Sequence, residues 1–149
     1  MAAFYGTEDG TLDLKRRLSV PVPLRRDPFT EVTHERFFLK YGSEGCLQLY
    51  SIETWAPMQE KLRRLQQGDQ EDRLFVEQFI KDAGWVTVDP QGRITIPSSL
   101  QDRAGLGKDV VLHGNLDYIA IWDAARFESR TSAFTDARLA EMESRKLKG

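Results

Sequence analysis

The sequence predicts an α+β fold in which two tandem copies of one small unit form a single β-barrel-like body. Residues 11–21 (TLDLKRRLSVP) align with residues 87–97 (TVDPQGRITIP) at a constant offset of 76 positions. Residues 38–50 align in the same way with residues 110–122, at an offset of 72. A repeat in so short a chain indicates duplication, and a unit of roughly 45 residues is too small to bury an adequate core alone. We therefore expect the two copies to pack into one body or to interleave their strands.

Each copy is predicted to contain a strand, a turn, a second strand, a short helix and then a hairpin that leads into a longer helix. The offset falls from 76 to 72 because the first copy carries four extra residues after its proline. The chain then divides into a first repeat at residues 5–54, a helical insert at 55–83, a second repeat at 84–128, and a charged C-terminal helix or tail at 129–149.

The turn between the first two strands is best defined in the second copy, at residues 89–92 (DPQG). Pro90 supplies the fixed φ of the second turn position, Asp89 can accept hydrogen bonds from turn N–H groups, and Gly92 favours the left-handed conformation. The first copy carries Arg16 where Gly92 stands. Arg16 is therefore either left-handed, at a cost of about 1 kcal/mol, or part of a turn of another shape, and the sequence leaves both open.

A proline follows the second strand of each copy, Pro21 in the first and Pro97 in the second, and a short helix is predicted after each. The helix after Pro97 has a capping box at residues 98–101 and should end at Gly105. The helix after Pro21 has room for only about one turn, because two more prolines follow closely.

The insert between the copies is predicted to be a pair of helices. Ser51 should cap the first, which runs to about Gln67, although Pro57 lies far enough inside it to predict a late start or a kink. A second helix is predicted over residues 69–83. This αα unit is interpreted as a spacer and packing element.

The second copy is expected to end in a helix capped by Asp123, with Phe127 and later Phe134 as its apolar positions. Residues 138–149 are highly charged and are predicted to fray or to be disordered.

Composition excludes several functional classes. The chain is 40% hydrophobic and 30% charged, and it contains no apolar run of about 18 residues that could cross a membrane. Cys46 is its single cysteine and alternates with apolar residues in a predicted strand, so a core position is expected. No internal disulfide or cysteine zinc site can form, which favours a cytoplasmic location.

The clearest charge feature is a basic segment in the first copy. Between Leu14 and Arg26 there are five basic residues and no acid: Lys15, Arg16, Arg17, Arg25 and Arg26. The equivalent segment of the second copy has Arg93 and one acid, although the chain as a whole has a net charge of −2. Arginine offers forked donors to phosphates and guanine edges, and a two-stranded β-ribbon fits the major groove of DNA.

Catalysis is disfavoured by the same residues. The duplicated Asp13 and Asp89 could form an acid–base pair across a twofold axis, but a role as structural hairpin locks explains them better. The two histidines are not spaced as metal ligands, and no Gly-rich phosphate loop or nucleophile elbow is present. We therefore predict that the chain is not an enzyme and binds no metal, cofactor or small-molecule substrate.

These motifs resemble a known family. DLKRRLSVP at residues 13–21 and DPQGRITIP at residues 89–97 look like the two Asp-x-x-x-Arg motifs of MraZ proteins. Residues 45–50 with Trp55 resemble the first hairpin and following helix of that family, and residues 105–112 resemble its second hairpin. The likeness covers residues 5–130 and includes the order, the spacing and the helical insert.

The resemblance implies two AbrB-like swapped-hairpin halves within one chain and a homo-oligomeric ring of eight or more subunits. It also implies a bacterial transcriptional repressor, located at the nucleoid, that binds direct repeats of double-stranded DNA in the promoter of its own division and cell-wall gene cluster. The DNA contacts map to Lys15, Arg16 and Arg17, with Arg25 and Arg93 as further candidates.

The chain departs from the family pattern at Arg16, where glycine is expected, and at Glu8 and Asp9, which make its start less basic. A second hypothesis therefore remains open, in which the protein forms a ring of the same fold but has weak or no DNA binding. Short direct repeats upstream of the gene would distinguish the regulator from this alternative.

Overall fold

The computed structural model describes residues 3–148 and confirms an α+β fold. Strands and helices are mixed along the chain, and all strand pairs are antiparallel. The elements are β1 (Thr7–Thr11), β2 (Arg17–Ser19), α1 (Val22–Arg25), β3 (Arg36–Tyr41), β4 (Leu47–Tyr50), α2 (Ile52–Gln66), α3 (Gln70–Phe79), β5 (Gly84–Thr87), β6 (Arg93–Thr95), α4 (Ser98–Ala104), β7 (Asp109–Asn115), β8 (Tyr118–Asp123), α5 (Ala124–Ser132) and α6 (Asp136–Leu147).

Six strands form one sheet in the order β1-β7-β8-β4-β3-β5, and β2 and β6 form a separate pair. The edges of the large sheet are β1 and β5, so the described strands form an open sheet. They do not close into the barrel-like body expected from the sequence. The edge strands β1 and β5 therefore remain available for pairing, whereas a closed barrel has no edge strands.

The two halves of the chain exchange strands. β1 pairs with β7 of the second half, from Thr7 opposite His113 to Thr11 opposite Asp109. β5 pairs in return with β3 of the first half. β2 pairs with β6, and Leu18 lies directly opposite Ile94. The expectation that the halves interleave is therefore confirmed within one chain.

The main core lies between the inner face of the large sheet and the β2–β6 pair. Leu18 and Ile94 are buried against Leu47, Leu112 and Ile121, and α1 and α4 close the ends of this layer. In each strand the inward positions alternate with outward ones, as the pleat requires. No helix in the described range 3–148 is long and apolar enough to cross a membrane.

The sequence alignment is one residue out of register in β3 and β7. It paired Leu39 with Val111, but the structure points Leu39 and Leu112 into the core. Phe38 pairs with Tyr50 as Val111 pairs with Trp122, so β3 and β7 correspond at an offset of 73 and β4 and β8 at 72. The hairpin of the first half is one residue longer, and a shift of one residue moves every side chain to the other face.

The helical insert differs from the prediction in two respects. Ser51 caps α2 in a capping box with Thr54, as expected, so the helix begins at Ile52 with Pro57 inside it, and the late start predicted from this proline is wrong. Asp69 caps α3, but that helix ends at Phe79 and not near residue 83.

Two predicted caps are wrong. α4 begins after Pro97 without a side-chain cap, and Gly105 ends it at φ 61° as predicted. Asp123 precedes α5, but its carboxylate accepts a hydrogen bond from the Gly107 N–H at 3.0 Å and does not cap the helix.

The C-terminal segment is ordered into a helix, which contradicts the expectation of fraying from residue 138. α6 begins after Thr135, whose hydroxyl accepts a hydrogen bond from the Arg138 N–H at 3.1 Å. Charged residues spaced three and four apart along this helix form ion pairs that favour it. Gly149, the last residue of that predicted segment, lies outside the described residues.

Replacing Ile94 by alanine should lower the free energy of unfolding by about 2–5 kcal/mol, because its side chain fills the centre of the core. The exposed neighbour Thr95 is the matched control, since Thr95→Ala removes no buried group. Urea denaturation of both variants measures the difference. Equal, small losses would show that the β2–β6 layer is not part of the core.

Candidate nucleic-acid interface

The turn of the first half is closed by Asp13. One of its carboxylate oxygens accepts hydrogen bonds from the N–H groups of Lys15 and Arg17, both at 2.8 Å. The other oxygen accepts one from Arg17 Nε at 2.7 Å. The Arg16 N–H donates to the Asp13 carbonyl, and the Asp13 N–H donates to the Arg17 carbonyl. We call residues 13–17 tip 1.

The turn of the second half, residues 89–93, has the same bonds, and we call it tip 2. Asp89 accepts from the N–H groups of Gln91 and Arg93, both at 2.9 Å, and from Arg93 Nε at 3.0 Å. Gly92 has a φ of 81°, which confirms the left-handed turn predicted there. Arg93 also donates from Nη2 to the Gln91 side chain at 2.8 Å.

Both aspartates are ionised hairpin locks. The N–H of Arg17 lowers the pKa of Asp13 below its ordinary value of 3.8, and the Arg17 guanidinium lowers it further. The N–H and guanidinium of Arg93 have the same effect on the pKa of Asp89. Each carboxylate is engaged by its own turn and its own arginine, which supports the structural role over an acid–base pair.

Arg16 is left-handed, with a φ of 61°, which resolves the question that the sequence left open. Its carbonyl accepts a hydrogen bond from the Ile96 N–H at 2.8 Å, and its Nε donates to the Ile96 carbonyl at 3.1 Å. These two bonds hold the strained residue against β6 and offset the cost of the left-handed conformation. Arg16 is an exposed residue, so the end of its side chain remains accessible.

Arg25 is placed differently from its predicted role as a DNA contact. It is 6% exposed, and its Nε donates to the Val20 carbonyl at 2.7 Å while Nη1 donates to the His34 carbonyl at 3.2 Å. Two of its three guanidinium nitrogens are thus bonded to backbone carbonyls, so its positive charge serves the fold. The sequence shows a run of basic residues but not which of them fold inward.

Arg16 and Arg25 perform the same task on opposite sides of the β2–β6 pair. Val20 corresponds to Ile96, and each of these carbonyls accepts one arginine Nε. In tip 2 the turn residue is Gly92, and a Cβ there would lie 3.5 Å from Arg25 Nη2. The arginine of α1 thus occupies the space beside Gly92, while tip 1 provides its own arginine.

The two tips therefore differ in charge. Tip 1 carries three basic residues and one acid, whereas tip 2 carries one of each. Leu14 and Lys15 form the end of tip 1, and Leu14 is 103% exposed. Arg26, the last basic residue of the segment, is exposed and pairs with Glu31 at 3.0 Å, which reduces its charge toward a ligand.

Lys108 is a further cation at tip 1 that the sequence analysis did not single out. Its carbonyl accepts a hydrogen bond from the Leu12 N–H at 2.8 Å, which holds the loop before β7 beside the tip. Lys108 and Arg16 line the same open groove of about 760 Å³, together with Leu14, Ser98 and Gln101. Only the strand exchange brings Lys108 there, because it lies about 90 residues from tip 1 in the sequence.

The two prolines of the repeated motif have structural roles. Pro21 and Pro97 precede α1 and α4 and set the turns into these helices. Among residues 3–148 there is no cluster of three or more His, Cys, Asp or Glu side chains that could hold a metal ion. Cys46 is buried, and burial raises the pKa of its thiol to about 11.

Comparison with known proteins supports a family. A family model described as "MraZ protein, putative antitoxin-like" matches residues 79–148. A protein of Acetivibrio thermocellus named "Transcriptional regulator MraZ" is 40% identical over 126 residues, which covers 85% of this chain and 85% of that protein.

Two further relatives carry the same name. The one from Clostridium botulinum is 35% identical over 133 residues, covering 89% of this chain and 90% of the relative. The one from Desulfitobacterium hafniense is 36% identical over 141 residues, covering 95% of each. The similarity therefore includes both tips and the helical insert.

Replacing Arg25 by alanine should lower the free energy of unfolding by about 2–3 kcal/mol, because two buried carbonyls lose a charged donor. The adjacent Arg26→Ala is the matched control and should cost about 1 kcal/mol or less, since its ion pair is exposed. Urea denaturation measures both. If Arg25→Ala weakened DNA binding without changing stability, the structural assignment of Arg25 would be wrong.

Stability should fall as the pH drops below the ordinary carboxyl pKa. Folding lowers the pKa values of Asp13 and Asp89, so their contribution is complete above about pH 3.8 and is lost as pH falls through the folded values. The double variant Asp13→Asn, Asp89→Asn should show a shallower pH dependence of the unfolding free energy. Asp27, whose pKa is also lowered, accounts for part of the slope that remains. An unchanged slope would contradict the two locks.

Proposed function

The chain belongs to the MraZ family, and on that premise we propose that it is a DNA-binding transcriptional regulator that acts through tip 1. Three relatives that align over most of the chain are named as transcriptional regulators. The family is one of regulators and not of enzymes, which confirms that part of the sequence prediction. The observation that carries the proposal is the charge difference between the two tips.

We assign the DNA contacts to Lys15, Arg16 and Arg17 of tip 1, with Lys108 beside them. Lys15 lies at the exposed end of the turn and is suited to a phosphate. Arg17 uses Nε for Asp13, which leaves its two terminal nitrogens to form a fork toward a phosphate or a base edge. Arg93 of tip 2 is a secondary contact, because it is engaged by both Asp89 and Gln91.

The left-handed Arg16 gives tip 1 its shape as well as its charge. Nε is bonded to the Ile96 carbonyl, so the guanidinium is held at a fixed position beside β6. A donor that is fixed before binding loses less conformational entropy when it contacts DNA. Arg16 therefore supports DNA binding even though the turn would be less strained with glycine.

Affinity is proposed to come from repetition of this site. One subunit offers only a few phosphate contacts, whereas a ring of eight or more subunits displays several copies of tip 1. Adjacent copies can then engage tandem direct repeats, and the avidity exceeds the affinity of one site. On this model the protein occupies the promoter of its own division and cell-wall gene cluster and represses it, at the nucleoid in the cytoplasm.

The domain division follows from the same model. Residues 5–54 form the DNA-facing repeat, residues 55–83 the helical insert, residues 84–128 the second repeat, and residues 129–149 the charged C-terminal segment. The alternative function is a ring-forming interaction protein that has lost DNA binding. The net charge of −2 and the exposed Glu8 and Asp9 on β1 favour that alternative.

Lys15→Ala should weaken binding to the DNA upstream of the gene by roughly tenfold or more, because avidity multiplies the loss of one phosphate contact per subunit. The slope of log affinity against log salt concentration should also become less steep, by about one released counterion for each tip 1 that contacts DNA. Fluorescence anisotropy at about 150 mM salt measures both effects, with scrambled DNA of the same length as the reference.

Lys61→Ala is the matched control, since Lys61 is an exposed lysine of α2. It should leave DNA affinity unchanged. Lys108→Ala should behave like Lys15→Ala and so test the residue that the strand exchange brings to tip 1. Equal, weak binding of wild type to upstream and scrambled DNA would refute the regulator and favour the interaction protein.

A further inference from the structure

The outer face of the large sheet is covered differently in its two halves. Over β3 and β4, α3 packs back on α2 and buries Val76 in a cluster with Tyr50, Trp55 and Leu62. Over β7 and β8, α5 packs on the sheet, but no residue of the following helix α6 is buried. The second half therefore lacks the covering helix that the first half has.

The uncovered residues correspond to covered ones. Trp122 stands at the position of Tyr50 and Phe127 at that of Trp55, both at the offset of 72 found for β4 and β8. In the first half, Lys40 places its Nζ 4.1 Å from the ring centroid of Phe79 on α3. His113, which corresponds to Lys40, has no such partner from α6.

What remains in the second half is a groove of about 570 Å³ between the sheet and α5. Its buried floor consists of Cys46, Ala120 and Trp122. Aromatic side chains and a few polar groups form the walls: Gln48, His113, Tyr118, Phe127, Arg130 and Phe134. The Arg130 guanidinium lies 4.8 Å from the Trp122 ring centroid and pairs with Glu44 at the rim.

α6 is the helix without a packing partner. None of its residues is buried, and the side-chain hydrogen bonds and ion pairs that it makes among the described residues all lie within 135–148. Leu139 and Leu147 are exposed on it. A helix of 12 residues is marginal in water by itself, so its stability should depend on packing elsewhere.

We propose that α6 of one subunit lies in this groove of a second copy of the chain, where it covers the sheet as α3 does in the first half. Met142 is the residue that enters over Ala120 and Trp122. It is the seventh residue after the cap Thr135, as Val76 is the seventh after the cap Asp69.

A second copy is the occupant because the chain does not fold α6 back on itself. Three residues join α2 to α3 and three join α5 to α6, but α5 has nine residues and α2 has 15. Because α5 is only about 13 Å long and α2 about 22 Å, the chain turns earlier after α5. α6 therefore does not return over the sheet as α3 does, and the groove of its own subunit stays open.

In the proposed ring the contact is head-to-tail: each subunit gives a helix to one neighbour and receives a helix from the other. Contacts of this kind close into a ring when the rotation between neighbours brings the last subunit onto the first. Each subunit then takes part in two such contacts, so it is held on both sides although each contact is built on a helix only about 18 Å long. The inference rests on the proposed ring and specifies the surfaces that form it.

A cysteine crosslink tests the contact directly, because Cys46 in the groove floor is the single cysteine of the chain. Met142→Cys is expected to form dimers and higher species joined through Cys46 of a second chain when treated with a short bismaleimide. Ser144 is exposed and lies about 200° around the helix from Met142, so Ser144→Cys is the matched control and should crosslink little. Adding Cys46→Ala to Met142→Cys should abolish the product.

Assembly provides the second measurement. Met142→Asp should shift the oligomer measured by light scattering toward the monomer, whereas Ser144→Asp should leave it intact. Unchanged assembly of Met142→Asp would overturn the α6 contact and keep the ring, with or without a crosslink, because the Cys46 thiol is buried and weakly reactive. A crosslink within single chains would show that α6 folds into its own groove and would also overturn the contact. A monomeric wild type would overturn both the ring and the contact, whereas loss of DNA binding with assembly intact would affect the proposed function alone.

Discussion

Each half of the chain sends the two strands beside its Asp-x-x-x-Arg turn to different sheets. In the first half β1 joins β7 while β2 joins β6, so next to the turn the two strands meet in an isolated bridge between Leu12 and Leu18 and not in a ladder. The aspartate holds the turn together, because one carboxylate closes the turn through two N–H groups and the arginine side chain. The strand exchange, and with it the shared core, depends on this local lock.

The arginines around the β2–β6 pair show how two similar halves acquire different properties. Two equivalent carbonyls must be satisfied, and in one half the donor is Arg16 of the turn while in the other it is Arg25 of the following helix. An arginine in the turn places charge at the surface, and an arginine in the helix removes it from the surface. The same structural requirement therefore leaves tip 1 cationic and tip 2 nearly neutral.

Much of the fold follows from local signals in the sequence. The shared turn, the glycine at its end, and the helices after Ser51 and Pro97 are set by residues within a few positions of each other. The register of β3 depends on the length of its hairpin, and Arg25 is held by the carbonyls of Val20 and His34, so a pattern of residue types did not show either feature. Lys108 was missed for a different reason. Its position beside tip 1 exists only after the two halves have exchanged strands.

The two proposed surfaces lie on opposite faces of the large sheet. The β2–β6 pair and its tips pack on the inner face, whereas the groove under α5 opens on the outer face. A neighbour that fills the groove therefore leaves tip 1 unobstructed, and DNA at tip 1 does not compete with assembly. The differences between the halves match this separation. The first half has a charged tip and a covered outer face of the sheet, whereas the second half has a neutral tip and an uncovered outer face. Association through the second half would thus array the charged tips of the first, which is the arrangement that avidity for repeated DNA sites requires.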